Sequence, residues 1–215
     1  MDYFLTEEQQ MIKELAARIA DEKIKPVAGE LDEKEEFPWE LMKILAEADL
    51  FAVWVPEEYG GLGGGVFEQA LVVEELSRAC SGVAVSYAAS GLGGFPILMF
   101  GSEAQKQQYM PDIASGKRLA AFALTEAGAG SDVSGITTTA TLDGDEYVLN
   151  GTKQWITNGG EADIYTVIAV TDKTKGPRGA SAFIVEKGTP GLSFGKKEKK
   201  LGIRASSTTE VIFEN

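Results

Sequence analysis

Apolar residues in the first half of the chain recur at helical spacing. Ile12, Leu15, Ile19 and Ile24 share one face of a segment from Thr6 to about Lys25, and Thr6 with Gln9 forms a capping box at its start. A second helix is expected from Pro38, a residue favoured at the first helical position, through Leu41, Ile44, Leu45 and Ala48, with its end marked by Asp49 and Leu50. Tyr59 to Gly65 holds five glycines in seven positions, so it is a loop that neither helix nor strand tolerates. Phe67 to Ala79 returns to helical period. The run between Arg78 and Glu103 carries no charge and meets the length test for a bilayer span. It also holds Gly82, Gly91, Gly93, Gly94, Ser86, Ser90 and Pro96 and lacks a flanking Lys/Arg cluster, so a buried core helix is expected and no membrane span. Ser102 with Gln105 then opens a last helix toward Ser115.

Past Gly116 the period shortens. Leu119–Leu124, Thr137–Leu142, Glu146–Leu149, Ile164–Val170, Ala180–Val185 and Thr208–Phe213 are β-branched or alternating runs separated by Gly, Asn, Pro and Asp. Asp143-Gly144 is a strong hairpin turn, and Asn150-Gly151 is a second turn candidate. No helical pattern interleaves these runs, which predicts a mainly antiparallel sheet. The fold class expected is α+β in two domains: an all-α N-terminal domain over 1–116 and a β-domain over 117–215.

Composition removes whole classes of chemistry. With 20 Lys plus Arg against 33 Asp plus Glu, the net charge is −13, which repels nucleic acid and anionic membranes. The absence of histidine excludes imidazole-based hydrolases and His-ligated metals. The single cysteine, Cys80, forms no intrachain disulfide or thiolate cage and reads as a small buried hydrophobe in a reducing, cytoplasmic protein. Met1 to Leu5 carries Asp2 and no basic stretch followed by an apolar one, so no secretory leader is expected there.

Glycine-rich phosphate motifs fail on inspection. A dinucleotide fingerprint would need glycine where Val66, Val133 and Pro96 stand, and Gly116-Lys117 and Gly195-Lys196 lack the Ser or Thr of a Walker loop. The acidic cluster Glu30, Asp32, Glu33, Glu35 and Glu36, with Lys34 inside it, reads as a solvated turn and no metal site is expected. The basic run Lys196, Lys197, Lys199 and Lys200 leaves two readings open, a phosphate-facing patch or a solvent-facing hairpin.

The informative stretch is Phe122 to Gly135, where a strand enters a turn of small residues, Thr125-Glu126-Ala127-Gly128-Ala129-Gly130-Ser131. Such a turn presents successive backbone N–H groups and hydroxyls to a diphosphate or an electron-rich ring edge; a plain glycine-rich hairpin loop is the competing reading. Downstream, Trp155-Ile156-Thr157-Asn158-Gly159 pairs a large aromatic face with a hydroxyl, a combination suited to a planar heterocycle. Glu126 and Asp132 are expected to hold the turn by accepting hydrogen bonds.

Together these segments resemble the acyl-CoA dehydrogenase flavoprotein family, nearest to its short-chain, butyryl-type members. The resemblance rests on Leu124-Thr125-Glu126 with Gly130-Ser131-Asp132, on Lys153 to Gly159, and on Pro56 to Gly61. Phe100 to Lys106 and Lys200 to Arg204 followed by Ser206, Ser207 and Thr208 extend it along the whole chain. Ala127 departs from the proline that many members carry after the glutamate. By the resemblance, the cofactor is FAD, held by Phe122, Ala123, Leu124, Thr125, Gly128, Gly130, Ser131, Trp155, Ile156 and Thr157, with Thr157 near flavin N5. Ser131, Arg178 and Gly179 would touch the acyl-CoA substrate, and Tyr87 to Phe95 would lie near the acyl pocket.

The implied reaction removes a proton from Cα and a hydride from Cβ of a thioester, with an electron-transferring flavoprotein as electron acceptor and a homotetramer as the assembly. The family's glutamate base lies in a third, C-terminal helical domain, so no catalytic base is expected before Asn215 and the chain alone is expected to be inactive. A non-catalytic flavin or acyl-CoA binding module complete at 215 residues, and an acyl-CoA oxidase relative, are the alternatives.

Overall fold

The computed structural model describes residues 4–215; Met1 to Tyr3, and with them most of the segment weighed as a leader, lie outside the described residues. Helix α1 (Glu7–Ile19) starts at the expected capping box, Thr6 Oγ1 accepting from the Gln9 N–H and Gln9 Oε1 from the Thr6 N–H. It continues not as α-helix but as a π-helical turn over Ala20–Ile24, which still buries Ala20 and Ile24. Helix α2 (Ala28–Lys34) corrects the reading of the acidic cluster as a turn: Glu30, Asp32 and Glu33 are helical, and Glu35 closes the helix in the left-handed conformation. Asp32 and Glu35 also face Arg204, at 3.9 and 3.6 Å, so part of the cluster is paired rather than merely solvated.

Helices α3 (Trp39–Glu47), α4 (Val66–Ala79), α5 (Ser81–Phe100) and α6 (Glu103–Ala114) complete the helical half, α6 on the expected Ser102–Gln105 box. Cys80 sits half-buried at the α4–α5 junction, short of the full burial expected. Helix α5 is apolar on every side; most of it is covered, while Leu92, Met99 and Phe100 stay exposed. It packs on α4, α6 and the sheet, burying Val83, Ala84, Tyr87 and Ile97. Gly93 lets the backbone of the sheet come close, Thr166 Oγ1 donating to the Gly93 carbonyl at 2.7 Å.

Seven strands form one curled sheet: β1 (Ala120–Ala123), β2 (Thr139–Asp143), β3 (Glu146–Thr157), β4 (Ile164–Val170), β5 (Ala180–Glu186), β6 (Leu192–Phe194) and β7 (Thr208–Phe213). Most pairings are antiparallel, as expected, but β1 runs parallel to β4, and β2 touches β4 in parallel at Thr139 and Val170, so the sheet is mixed. No crossover helix is needed, because the β2–β3 hairpin intervenes between the parallel neighbours. Asp143-Gly144 makes the expected turn, Asp143 pairing with Glu146. Asn150-Gly151 does not turn. Asn150 pairs with Thr139 and Gly151 with Phe213, so β3 runs through both and hands over from β2 to β7 at the glycine. There φ is 148°, and a Cβ would collide with Thr138 at 2.5 Å.

The helical and sheet halves are pinned together at Asn158, a buried residue with φ of 62°. Its amide nitrogen donates to the Ser86 carbonyl of α5 at 2.9 Å and to the Ala120 carbonyl of β1 at 3.4 Å, and its N–H to the Ser207 carbonyl. The basic run lies in the long connection of the antiparallel β6–β7 hairpin and is not a free patch. Lys200 Nζ donates to the Ser206 carbonyl at 2.6 Å and Lys197 Nζ to the Glu35 carbonyl, so two of its four lysines tie the loop down.

Candidate functional site

Strand β1 delivers Phe122 and then Leu124 and Thr125 to the surface, while Ala123 turns into the core. Immediately beyond, Glu126 and Ala129 exchange backbone hydrogen bonds at 3.1 and 3.0 Å, making a tight turn with Ala127 and Gly128 at its tip. The chain thus realises the hairpin and the small-residue nest at once. A Cβ built on Gly128 or Gly130 would meet nothing within 4 Å, so the space before these backbones is open. Among the described residues, no acceptor takes the N–H groups of Gly128, Gly130 or Ser131. Farther along, Asp132 accepts from the Ser134 N–H at 3.0 Å and steadies the end of the turn.

The second wall is the C-terminal end of β3. Its pairing with β7 shifts register between Lys153 and Ile156, and Trp155 sits in the left-handed region at φ 56°. A bulky residue there carries real backbone strain. The bulge changes which side chains point inward: Lys153 and Ile156 are buried, and the Trp155 indole is 56% exposed. Leu124, Thr125, Trp155, Ile156 and Thr157, with Phe122 and with Ala89 and Leu92 of α5, line one cavity of about 180 Å³.

Six of the ten expected cofactor residues therefore meet in this cavity. Gly128, Gly130 and Ser131 lie on the exposed turn outside it, and Ala123 is in the core behind it. Arg178 is exposed on the helical turns of Lys173–Gly179, which pack beside the short turn Val133–Gly135 and so approach the Ser131 side of the site. Gly179 is buried, and a Cβ there would strike the Asp172 carbonyl at 1.8 Å, so its first requirement is close backbone packing.

Sequence reasoning passed over Lys153 as more than part of a motif. Its ammonium is wholly buried and donates to Glu126 Oε1 at 2.7 Å and to the Leu124 carbonyl at 3.0 Å. Glu126 also accepts from the Thr137 N–H and hydroxyl, both at 2.7 Å, and from the Thr138 N–H at 2.9 Å. Burial alone would raise the Glu126 carboxyl, but hydrogen bonds from Lys153, Thr138 and Thr137 outweigh it and hold the group down to about 2. The expectation that Glu126 and Asp132 hold the turn agrees with these contacts. Lys153 stands between Thr152 and Gln154, with no apolar alternation around it to signal its burial.

The donor set fits a flavin. The cavity is largely apolar with an aromatic face, and neither Thr125 nor Thr157 has its hydroxyl engaged among the described residues. The free N–H groups of the turn lie beyond its rim. Such a site can sandwich a planar ring, donate to its polar edge and receive a diphosphate.

Comparison with known proteins agrees on one family. Residues 6–117 match the acyl-CoA dehydrogenase N-terminal domain and residues 121–215 the acyl-CoA dehydrogenase middle domain. The short-chain specific acyl-CoA dehydrogenase of Clostridium acetobutylicum is 46% identical over all of this chain and 57% of its own length. The acryloyl-CoA reductase (NADH) of Anaerotignum propionicum is 45% identical over all of this chain and 55% of its own. Among solved structures, one described as the electron transferring flavoprotein of Acidaminococcus fermentans superposes with TM-score 0.97 at 49% identity, covering 100% of this chain and 57% of that one. Butyryl-CoA dehydrogenase from Megasphaera elsdenii gives 0.95 at 45%, with the same coverage. An acyl-CoA dehydrogenase complexed with FAD from Bacillus anthracis gives 0.87 at 41%, over 98% of this chain and 36% of that one. The chain spans a little over half the length of the curated relatives it matches. With both domains matched nearly end to end and 46% identity to a relative over the whole chain, the chain belongs to the acyl-CoA dehydrogenase family.

Proposed function

We propose that the chain forms the flavin- and thioester-facing part of an FAD-dependent dehydrogenase acting on a short-chain acyl-CoA. The observation that carries this reading is the convergence of Leu124, Thr125, Trp155 and Thr157 on one cavity, with unengaged turn N–H groups beside it. When bound, FAD supplies the hydride acceptor for oxidation of the substrate Cα–Cβ bond.

The chain's own residues bind, orient and exclude water. Leu124, Ile156 and the Trp155 indole provide the apolar walls, and the Thr125 and Thr157 hydroxyls donate to the polar edge of the ring. Gly128, Gly130 and Ser131 offer N–H groups to a diphosphate, and Arg178 offers a cation to the phosphates of CoA. Among the described residues, no carboxylate lines the cavity. Glu126, the nearest in sequence, is a poor base because its oxygens are already engaged and its proton affinity is low. The Cα proton therefore goes to a carboxylate outside these residues, in keeping with the proposed C-terminal helical domain. An electron-transferring flavoprotein as redox partner, a homotetramer and a cytoplasmic location complete the proposal.

The test is reconstitution with FAD followed by anaerobic mixing with butyryl-CoA. Tight FAD binding, weakened by Thr157→Val, and a shift of the visible flavin bands by butyryl-CoA without bleaching are the expected results, because the base lies outside these residues; a protein that binds no FAD sinks the reading. The reductase name of one relative favours the opposite direction as a second reading. Oxidation of NADH by an unsaturated acyl-CoA selects it.

A further inference from the structure

Lys153 is engaged in a way that core packing alone does not explain. In a regular strand Lys153 and Trp155 would share a face. The bulge separates them, sending the ammonium inward and the indole to the cavity. Across the gap, Lys153 Nζ holds the Leu124 carbonyl at 3.0 Å and Glu126 Oε1 at 2.7 Å, while the Gln154 N–H holds the Thr125 carbonyl at 2.7 Å. The wall residues Leu124 and Thr125, and Glu126 just behind them, are thus gripped by the two residues that lead into Trp155 of the other wall. Glu126 extends the hold to Thr137 and Thr138, where the chain turns back into β2.

An apolar pair would fill this space more simply, because two buried charges must be stripped of water. What apolar side chains cannot do is fix the separation between the Leu124–Glu126 backbone and the bulge. We infer that Lys153 and Glu126 are a positioning pair that sets the width of the cavity between Leu124–Thr125 and Trp155–Thr157, and with it the fit of a planar ring. This rests on the flavin reading above.

Three variants of the protein decide it: Lys153→Met, Glu126→Gln and the two combined. Lys153→Met alone leaves a buried carboxylate without its cation and lowers the melting temperature whichever role the pair has. The double variant carries neither charge, and a pair that serves stability alone would let it recover both its melting temperature and its FAD affinity. Positioning predicts recovery of the first only: FAD binds ~10- to 100-fold more weakly and its visible bands shift. Wild-type affinity and spectrum in the double variant overturn the inference. Should that variant not fold, Lys153→Met is read below its own melting temperature: weaker FAD binding with shifted bands supports positioning, and wild-type affinity and spectrum overturn it.

Failure of the unsubstituted protein to bind FAD would count against the flavin reading instead. The pair is then judged without cofactor, from the emission difference between each variant and its Trp155→Phe derivative. A displaced indole changes emission maximum and acrylamide quenching; an unchanged indole refutes positioning.

Discussion

Helix α5 and strand β1 meet through bare backbone at Gly93, and the cost of filling that contact can be worked out. A Cβ on Gly93 would lie 2.7 Å from the Ala121 nitrogen and 2.8 Å from its carbonyl carbon and oxygen. Ordinary carbon contacts need about 3.5 Å, so Gly93→Ala must part helix and strand by roughly 0.7 Å. Two hydrogen bonds oppose the separation: Thr166 Oγ1 to the Gly93 carbonyl at 2.7 Å, and the Ala120 N–H to Ser90 Oγ at 3.3 Å. Because the obstacle is backbone and not a flexible tip, overpacking should cost near the top of its ~1–3 kcal/mol range. Alanine recovers about 1 kcal/mol of helix propensity over glycine, leaving a net loss of 1–2. Gly29→Ala in α2 is the control, since nothing lies within 4 Å of its added Cβ and the propensity gain is unopposed. Urea unfolding followed by circular dichroism compares the two. The displaced β1 also leads into Leu124 and Thr125, so FAD affinity should fall in Gly93→Ala and not in Gly29→Ala. A Gly93→Ala protein as stable as the parent, beside a stabilised Gly29→Ala, would refute the reasoning.

The Glu126 carboxyl is held down to about 2 from its ordinary 4.5, so its contribution to stability is complete above the higher value and lost as pH falls through the lower; Glu126→Gln should flatten the acid limb of the stability curve in that window. Ser102→Ala removes the side-chain acceptor of the α6 capping box and should cost about 1 kcal/mol in urea unfolding, without changing FAD affinity. Trp155→Gly relieves a left-handed tryptophan, worth roughly 1–2 kcal/mol, while opening the cavity. The expected outcome is a melting temperature at or above the parent's with markedly weaker FAD binding, and a concerted fall in both would argue that the indole is structural.

Where local chemistry and tertiary packing agree, the sequence is legible. The capping boxes at Thr6 and Ser102 are self-contained, and the uncharged α5 packs most of its surface against α4, α6 and the sheet. Asn150-Gly151 misleads because its turn preference is local, whereas β2 and β7 each claim a partner from that stretch of β3. Strand β6 is too short for alternation to register, and α2 hides beneath acidic residues because its partners, Arg204 and the Lys197 loop, lie far along the chain. Within the site, the motifs led to the two walls of the cavity. Nothing in residue order announces that a bulge at Trp155 buries Lys153, since a two-residue period predicts that they face the same way.

The Asn158 pin bears on how the molecule comes apart. One side chain bonds helix α5 and strand β1 together from the end of β3, and its backbone reaches the approach to β7. Opening any of these elements alone breaks a bond belonging to the others. Amide protons in α5, β1 and the paired ends of β3 and β7 should therefore exchange with solvent in a single concerted event, and the interior shared by helices and sheet should melt as one foldon. Cutting the chain at the helix-to-strand junction would leave two pieces, each missing part of its interior.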